Sequence, residues 1–331
     1  MKPLRIGLVG AGMVSAFHLP AWQRVSDLAQ VVAICDLDIG RATAQARAFD
    51  IPGVWSDLNA MLDHEHLDAI DVLTPPGAHA EACLAAAQRG IAILCQKPLG
   101  PTLKDASMLA AALDNRCRVM VHENWRFRPH YRQVEDWLRN GQIGEPQQAA
   151  LWTRSNGLLA DASGMQPALA RQPLLSVLDR LMVAEVLVHH LDIVRWLLGA
   201  SRVIHARTQY AIAQVAGESM AEIQLALPAG GIVTVGGDMA DRDATPSLRD
   251  SFSLTGTQGE ILLAGDTLTL NGRRSARIQV DLQADYLASY ANAIAHFVHA
   301  LHKDQPFETP VVWHLEVLQT VEDVYRLAAK N

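Results

Sequence analysis

Cysteine is scarce in this chain: four residues in 331, at Cys35, Cys83, Cys95 and Cys117, and none forms a C-x-x-C pair. Their positions, mostly in or beside apolar runs, exclude a zinc ribbon or a disulfide framework and point to buried thiols in a reducing cytoplasm. Long apolar stretches are missing too; nothing approaches the roughly 20 residues of a membrane-spanning helix. The apolar run that follows Lys2 and Arg5 breaks at Gly10-Ala11-Gly12, too early for a secretory signal. Positive charge is not in excess: 28 Lys and Arg stand against 35 Asp and Glu, a net charge of −7. That excludes the basic field a nucleic-acid binder presents. There is no internal repeat and no low-complexity segment. What remains is a globular composition, 50% hydrophobic and 19% charged, in a chain long enough for two domains.

The two parts differ in rhythm. Short apolar runs at 4–9, 31–35, 69–73, 91–95 and 119–121, with a minimal one at 54–55, alternate with helical patterns at 13–25, 40–49, 58–62, 78–89 and 103–115. This β-α-β-α order predicts a parallel sheet covered on both faces, the α/β architecture of a dinucleotide-binding domain over 1–125. A helix over 128–140 follows, closed by glycines. From there on, segments of alternating polarity at 147–155, 203–212, 220–227, 231–239, 251–255, 260–263, 267–270 and 277–282 predict one large, open, mainly antiparallel sheet. A Gly-, Ala-, Ser- and Pro-rich loop at 156–173, a long helix at 174–198 and two final helices at 285–302 and 310–330 complete an α+β domain over 126–331. An open sheet face invites self-association, so a homodimer or homotetramer through this sheet is expected.

Gly10-Ala11-Gly12-Met13-Val14-Ser15 directly follows the first predicted strand. Glycine at 10 allows the tight turn. Glycine at 12 lets backbone approach a pyrophosphate, which then sits at the positive end of the next helix near Met13 and Val14. Ser15 takes the third glycine position and is small enough for helix–strand packing. The second strand ends at Cys35-Asp36, where an acid is placed to bind a ribose diol. A carboxylate there repels a 2′-phosphate, and Arg41 is the one nearby cation, so NAD is favoured over NADP. Thr74, Pro75 and His79 follow the fourth strand at the carboxyl edge, where such sheets bind ligands. For them a cofactor wall and a rigid strand-to-helix turn are both compatible readings.

Lys97, in Gln96-Lys97-Pro98, follows the fifth strand at that same edge. It reads either as a group that hydrogen-bonds a substrate oxygen and moves its proton, or as a solvated loop lysine. Glu185, His189 and Asp192 are spaced by four and three residues among Met182, Val183, Val186, Leu187, Val188 and Leu191. On one helix this spacing makes a single ionisable stripe in apolar company. Carboxylate and imidazole also suit zinc, but no further ligand cluster is apparent and no metal is expected. His190 points elsewhere on the helix and reads as packing. Asp63-His64-Glu65-His66 reads as a solvated polar loop. Trp152 and Arg154 share one face of a strand.

Taken in order, Gly10-Ala11-Gly12, Gln96-Lys97-Pro98, Asn124-Trp125-Arg126-Phe127-Arg128-Pro129, and Glu185 to Asp192 leading into Arg195-Trp196-Leu197-Leu198-Gly199 resemble one family. It is the glucose–fructose oxidoreductase / inositol dehydrogenase / rhizopine-catabolism family, Gfo/Idh/MocA, and the resemblance runs over essentially the whole chain. It implies an NAD(P)-dependent oxidoreductase acting on a sugar, polyol or sugar-derived secondary alcohol. By position, the family's catalytic lysine is Lys97, its substrate-binding acid Glu185 and its proton-relay histidine His189. The resemblance implies further that Gln96 and Lys97 border the cofactor, and that Asn124 and Arg126 line the substrate region; Arg126 reads equally as an interdomain salt-bridge or stacking residue. Gln96 stands where the family has glutamate, Glu185 where it has aspartate, and Leu187 where it has glycine. Two other roles known on this fold remain open at this stage: a ligand-responsive NAD-binding regulator, and a glycosidase with tightly bound NAD.

Overall fold

The computed structural model describes residues 2–114 and 116–329; Asn115 and Lys330, expected at helix ends, and the terminal Met1 and Asn331 lie outside the described residues. The strands are β1 (Leu4–Val9), β2 (Ala29–Cys35), β3 (Gly53–Trp55), β4 (Ala69–Val72), β5 (Ala92–Gln96), β6 (Val119–His122), β7 (Pro146–Arg154) and β8 (Arg202–Gln209). They continue with β9 (Met220–Ala226), β10 (Ile232–Asp238), β11 (Arg249–Gly256), β12 (Gly259–Ala264), β13 (Thr267–Asn271) and β14 (Ser275–Gln279). The α-helices are α1 (Ser15–Gln23), α2 (Ile39–Ala48), α3 (Leu58–His64), α4 (His79–Ala87), α5 (Leu103–Leu113), α6 (Pro129–Arg139), α7 (Pro167–Arg171), α8 (Val188–Leu198), α9 (Leu282–His302) and α10 (Val311–Ala328). No helix among the described residues is long and apolar enough to cross a membrane.

The first sheet is parallel throughout, in the order β3-β2-β1-β4-β5-β6. Its central strands are buried along their length, as continuous apolar runs covered on both faces require. Side chains start the helices between them: Asp38 accepts the Gly40 and Arg41 N–H groups, Asp57 that of Ala60, and Thr102 that of Asp105.

The second sheet has eight strands in the order β14-β13-β12-β11-β7-β10-β9-β8. All its pairings are antiparallel except β7 with β10. One face is apolar and buried, with Leu151, Ile223, Val235, Phe252, Leu254 and Ile261 among its residues. The alternate positions carry Gln148, Trp152, Arg154, Ser251, Ser253 and Thr255, and Trp152 lies where a Cβ on Gly236 would meet its ring at 2.4 Å.

The two compact units are not the consecutive blocks 1–125 and 126–331. One unit is the chain up to Arg128 together with Tyr286–Glu316; the other is Pro129–Asp285 with the residues from Val317 onward. The cause is apolar burial. After its first turn α9 contributes Tyr290, Ala291, Ala293, Ile294, Phe297 and Val298 to the core that holds Ile6, Leu8, Trp22 and Ile34. Phe297 stacks on Phe307 at 5.2 Å and meets the edge of Trp22 at 6.4 Å. The chain then runs beside β6, where Thr309 exchanges backbone and hydroxyl hydrogen bonds with Val121, so that segment covers the β6 edge.

Two other expectations change. The long helix over 174–198 is broken into a 3-10 turn (Pro173–Val177), a non-helical stretch, a π-helical segment (Met182–Leu187) and α8. The loop over 156–173 contains the short α7. If α9 completes the first unit's core, Phe297→Ala leaves a cavity there and costs about 3–5 kcal/mol in urea unfolding; a loss under about 1 kcal/mol rules that out.

Candidate functional site

In the first unit the ends of β1, β2 and β4 meet at the glycine turn. Gly10 has φ +103°, and a Cβ there would stand 2.9 Å from the Leu73 carbonyl carbon. Only glycine takes that conformation in that space at little cost. Its N–H donates to Cys35 O at 2.8 Å. Gly12 is the opposite case: a Cβ there would meet nothing within 4 Å. Ser15 is fully buried and its hydroxyl donates to Gly12 O at 2.7 Å, which holds the turn against α1.

Asp36 is tied to this turn. Its Oδ2 accepts the Ala11 N–H at 2.7 Å, and its Oδ1 accepts the Asp38 N–H at 2.8 Å and the Arg41 guanidinium at 3.2 Å. Arg41 also pairs with Asp38 at 3.3 Å, so this cation is bound between two carboxylates. Thr74 is half-buried beside Gly10, and its Oγ1 is buried without a hydrogen-bond partner. Open space at Gly12, the start of α1 at Met13 and Val14, the acid at the end of β2 and an unanswered buried hydroxyl fit a dinucleotide. Pro75 is exposed, whereas His79 is buried; its Nδ1 lies 2.9 Å from Pro98 O and its Nε2 2.8 Å from Thr74 O. His79 thus clips the turn after β4 to the turn after β5, and burial lowers its pKa.

Lys97 leaves β5 at the same carboxyl edge, half-buried, and the Lys97–Pro98 bond is cis. The residue before it ends a polar chain that the periodicity did not reveal. Gln96 Nε2 is 2.7 Å from His18 Nε2 and 2.9 Å from His122 Nδ1. His18 Nδ1 and Trp22 Nε1 both reach Asp71 Oδ2 at 2.7 Å. His18, Asp71 and His122 are fully buried. The sequence signal for it was Asp71, a carboxylate inside the buried strand Ala-Ile-Asp-Val. Glu123, directly after β6, was also missed. It is buried, and burial raises its pKa, while the Trp125 N–H and then the charges of Lys97, His314 and Arg126 pull it back.

Asn124 and Arg126 engage the C-terminal part of this unit. Asn124 Nδ2 donates to Ser289 Oγ at 2.7 Å; the Arg126 guanidinium donates to Glu308 O at 3.1 Å and lies 4.6 Å from the Trp313 ring centroid.

In the second unit, Glu185 is half-buried on the π-helical segment and His189 and Asp192 are buried on α8. The three therefore do not ride one uniform α-helix, because i→i+5 bonding widens the turn that carries Glu185. A residue outside the motif anchors this segment. Glu218, fully buried, accepts the Leu181 N–H at 3.2 Å, the Val183 N–H at 2.9 Å and the Tyr325 hydroxyl at 2.6 Å. A carboxylate at a helix start satisfies its open N–H groups and its dipole, and here Glu218 sets where Glu185 and His189 begin. Beside Glu218, burial and the carboxylate push the Tyr325 phenol well up. The adjacent histidines separate: His190 is fully buried and lies 3.2 Å from Asp250, which also accepts the Tyr131 hydroxyl at 3.2 Å.

The glycines give a direct test. Gly12→Ala should leave unfolding stability within about 0.5 kcal/mol while weakening NAD affinity by about tenfold or more in calorimetry. Gly10→Ala should instead cost about 1–3 kcal/mol of stability. The reverse pattern would contradict the cradle.

Comparison with known proteins bears on both units. The oxidoreductase family model with an NAD-binding Rossmann fold, GFO_IDH_MocA, matches residues 4–123, and the GFO/IDH/MocA C-terminal domain model matches residues 131–262. The chain is 32% identical over 345 aligned residues to a D-apiose dehydrogenase of Paraburkholderia graminis, covering 100% of this chain and 89% of that protein. It is 30% identical over 200 residues to inositol 2-dehydrogenase 4 of Saccharopolyspora erythraea, covering 60% and 55% respectively. An oxidoreductase from Agrobacterium radiobacter, solved with NAD+, L-tartaric acid and magnesium, superposes with a TM-score of 0.90 at 26% identity, covering 99% of this chain and 97% of that one.

Proposed function

Because the chain belongs to the GFO/IDH/MocA family of oxidoreductases with an NAD-binding Rossmann domain, we propose that it oxidises a secondary alcohol of a sugar, polyol or sugar-derived substrate. NAD+, when bound, accepts the hydride from the carbinol carbon. The hydroxyl proton leaves to His189, so that secondary alcohol and NAD+ would become ketone, NADH and a proton. Lys97 hydrogen-bonds the reacting oxygen and polarises it, and Glu185 orients the substrate through neighbouring hydroxyls. The observation that carries this reading is Lys97, half-buried on the same carboxyl edge as the Gly10–Gly12 turn and Asp36. The relatives named for apiose and inositol support a polyhydroxylated substrate.

The Asp36 carboxylate, with Arg41 paired to it and to Asp38, favours NAD over the more negative NADP. kcat/KM with NAD should exceed that with NADP by about tenfold or more; parity would refute the assignment. A panel of sugars, polyols and sugar acids, apiose and inositols included, followed by NADH absorbance identifies the substrate.

On that substrate, Lys97→Ala and His189→Ala should each lower kcat by about 10²–10⁴-fold with NAD affinity kept. If both groups serve one step, the double variant loses little more than the worse single variant. Wild-type turnover in both single variants would overturn the mechanism.

A further inference from the structure

We propose that Glu123 is the positioning carboxylate for Lys97, supplying from the neighbouring strand the counter-charge that residue 96 does not carry. The proposal builds on the role given to Lys97 above.

The placement follows from the sheet. β5 and β6 pair in parallel with Gln96 opposite His122. The next residue on each strand is therefore Lys97 and Glu123, leaving the same edge side by side, one inter-strand spacing of about 4.8 Å apart. Gln96 is committed to other partners. An amide NH2 only donates, so the imidazole nitrogens it meets, His18 Nε2 and His122 Nδ1, both accept. That leaves the His18 proton on Nδ1, facing Asp71 Oδ2, and the His122 proton on Nε2. Residue 96 therefore brings no charge to the lysine beside it.

Glu123 does. It is 2% exposed, and its Oε1 accepts the Trp125 N–H at 3.1 Å, which fixes the carboxyl on the turn after β6. A carboxylate removed from water requires cations nearby. Three basic groups act on it, Lys97, His314 and Arg126, and its own field reaches the Tyr290 phenol. The Arg126 guanidinium is shared with Glu308 O and the Trp313 ring. His314 Nε2 accepts the Leu99 N–H at 3.3 Å, so that nitrogen is committed to the turn after β5. Lys97 is the compact cation beside it on the strand edge. The carboxylate gives the ammonium an opposite charge to lie against and limits where the flexible four-carbon stem can go.

The chain has five lysines, Lys2, Lys97, Lys104, Lys303 and Lys330, so reductive methylation with 13C-formaldehyde yields few signals. Lys97→Arg assigns the relevant one. In the free full-length protein, the Lys97 titration midpoint should fall by about one pH unit or more in Glu123→Gln, because losing the negative charge makes the ammonium easier to deprotonate. Glu123→Asp, which keeps the charge, should stay within about half a unit of wild type. A packing role predicts the opposite ranking, since Gln matches the shape of Glu and Asp does not; that ranking, or no shift in either variant, would overturn the proposal. A reciprocal measurement leaves Glu123 intact: Lys97→Met should raise the pH at which a buried carboxyl band disappears from the infrared spectrum, and an unmoved band counts against the pair. Neither readout needs turnover. Normal turnover in Lys97→Ala with a shifted titration would refute the catalytic role alone, whereas lost turnover with an unshifted titration would refute the role of Glu123 alone.

Discussion

Parallel pairing in the first sheet is the constraint on which the rest of that unit depends. It sends the carboxyl ends of β1, β2, β4, β5 and β6 to one edge, so residues far apart in the chain leave it together. Gly10, Asp36, Thr74, Lys97 and Glu123 each follow a different strand there. The close approach of Gly10 to Leu73 and Thr74, the Ala11 N–H on Asp36, and His79 between Thr74 and Pro98 are the bonds that keep those turns in place. An antiparallel arrangement of the same strands would scatter these groups over two edges.

Both units also place polar groups in their interiors, where each must be satisfied and so can take few positions. In the first, Asp71, His18, Gln96 and His122 form one hydrogen-bonded chain that ends on the residue before Lys97. In the second, Glu218 holds the start of the π-helical segment, and Asp250 joins Tyr131 to His190. Such networks add little net stability, since each bond replaces one to water. Their effect is to restrict orientation, which is what a lysine or histidine that handles a proton needs.

Much of this was legible in the chain itself. The strands of the first sheet are short apolar runs between amphipathic helices, and the second sheet alternates residue by residue, because a covered parallel sheet and a one-faced sheet bury different positions. The glycine turn and Asp36 were readable because backbone geometry, rather than distant packing, dictates those residues. Less legible was α9, whose apolar stripe looks the same whichever core receives it. The break at 182–187 was hidden as well, since apolar spacing barely distinguishes a π-helical turn from an α-helical one and the Glu218 that anchors it lies more than thirty residues on. Glu123 was passed over because a single acid after a strand has no pattern of its own.

The sequence by itself determined the two kinds of sheet, the dinucleotide turn and the candidates Lys97, Glu185 and His189, all through local rules of period, turn geometry and motif. Only the tertiary structure decided which groups stand beside them. Strand order put Glu123 next to Lys97, long-range hydrogen bonds took Gln96 to His18 and His122, and Glu218 set the start of the helix bearing His189. The physical reason is that burial makes each polar group seek partners by proximity in space, and proximity across a sheet or between helices is not encoded in any short stretch of chain.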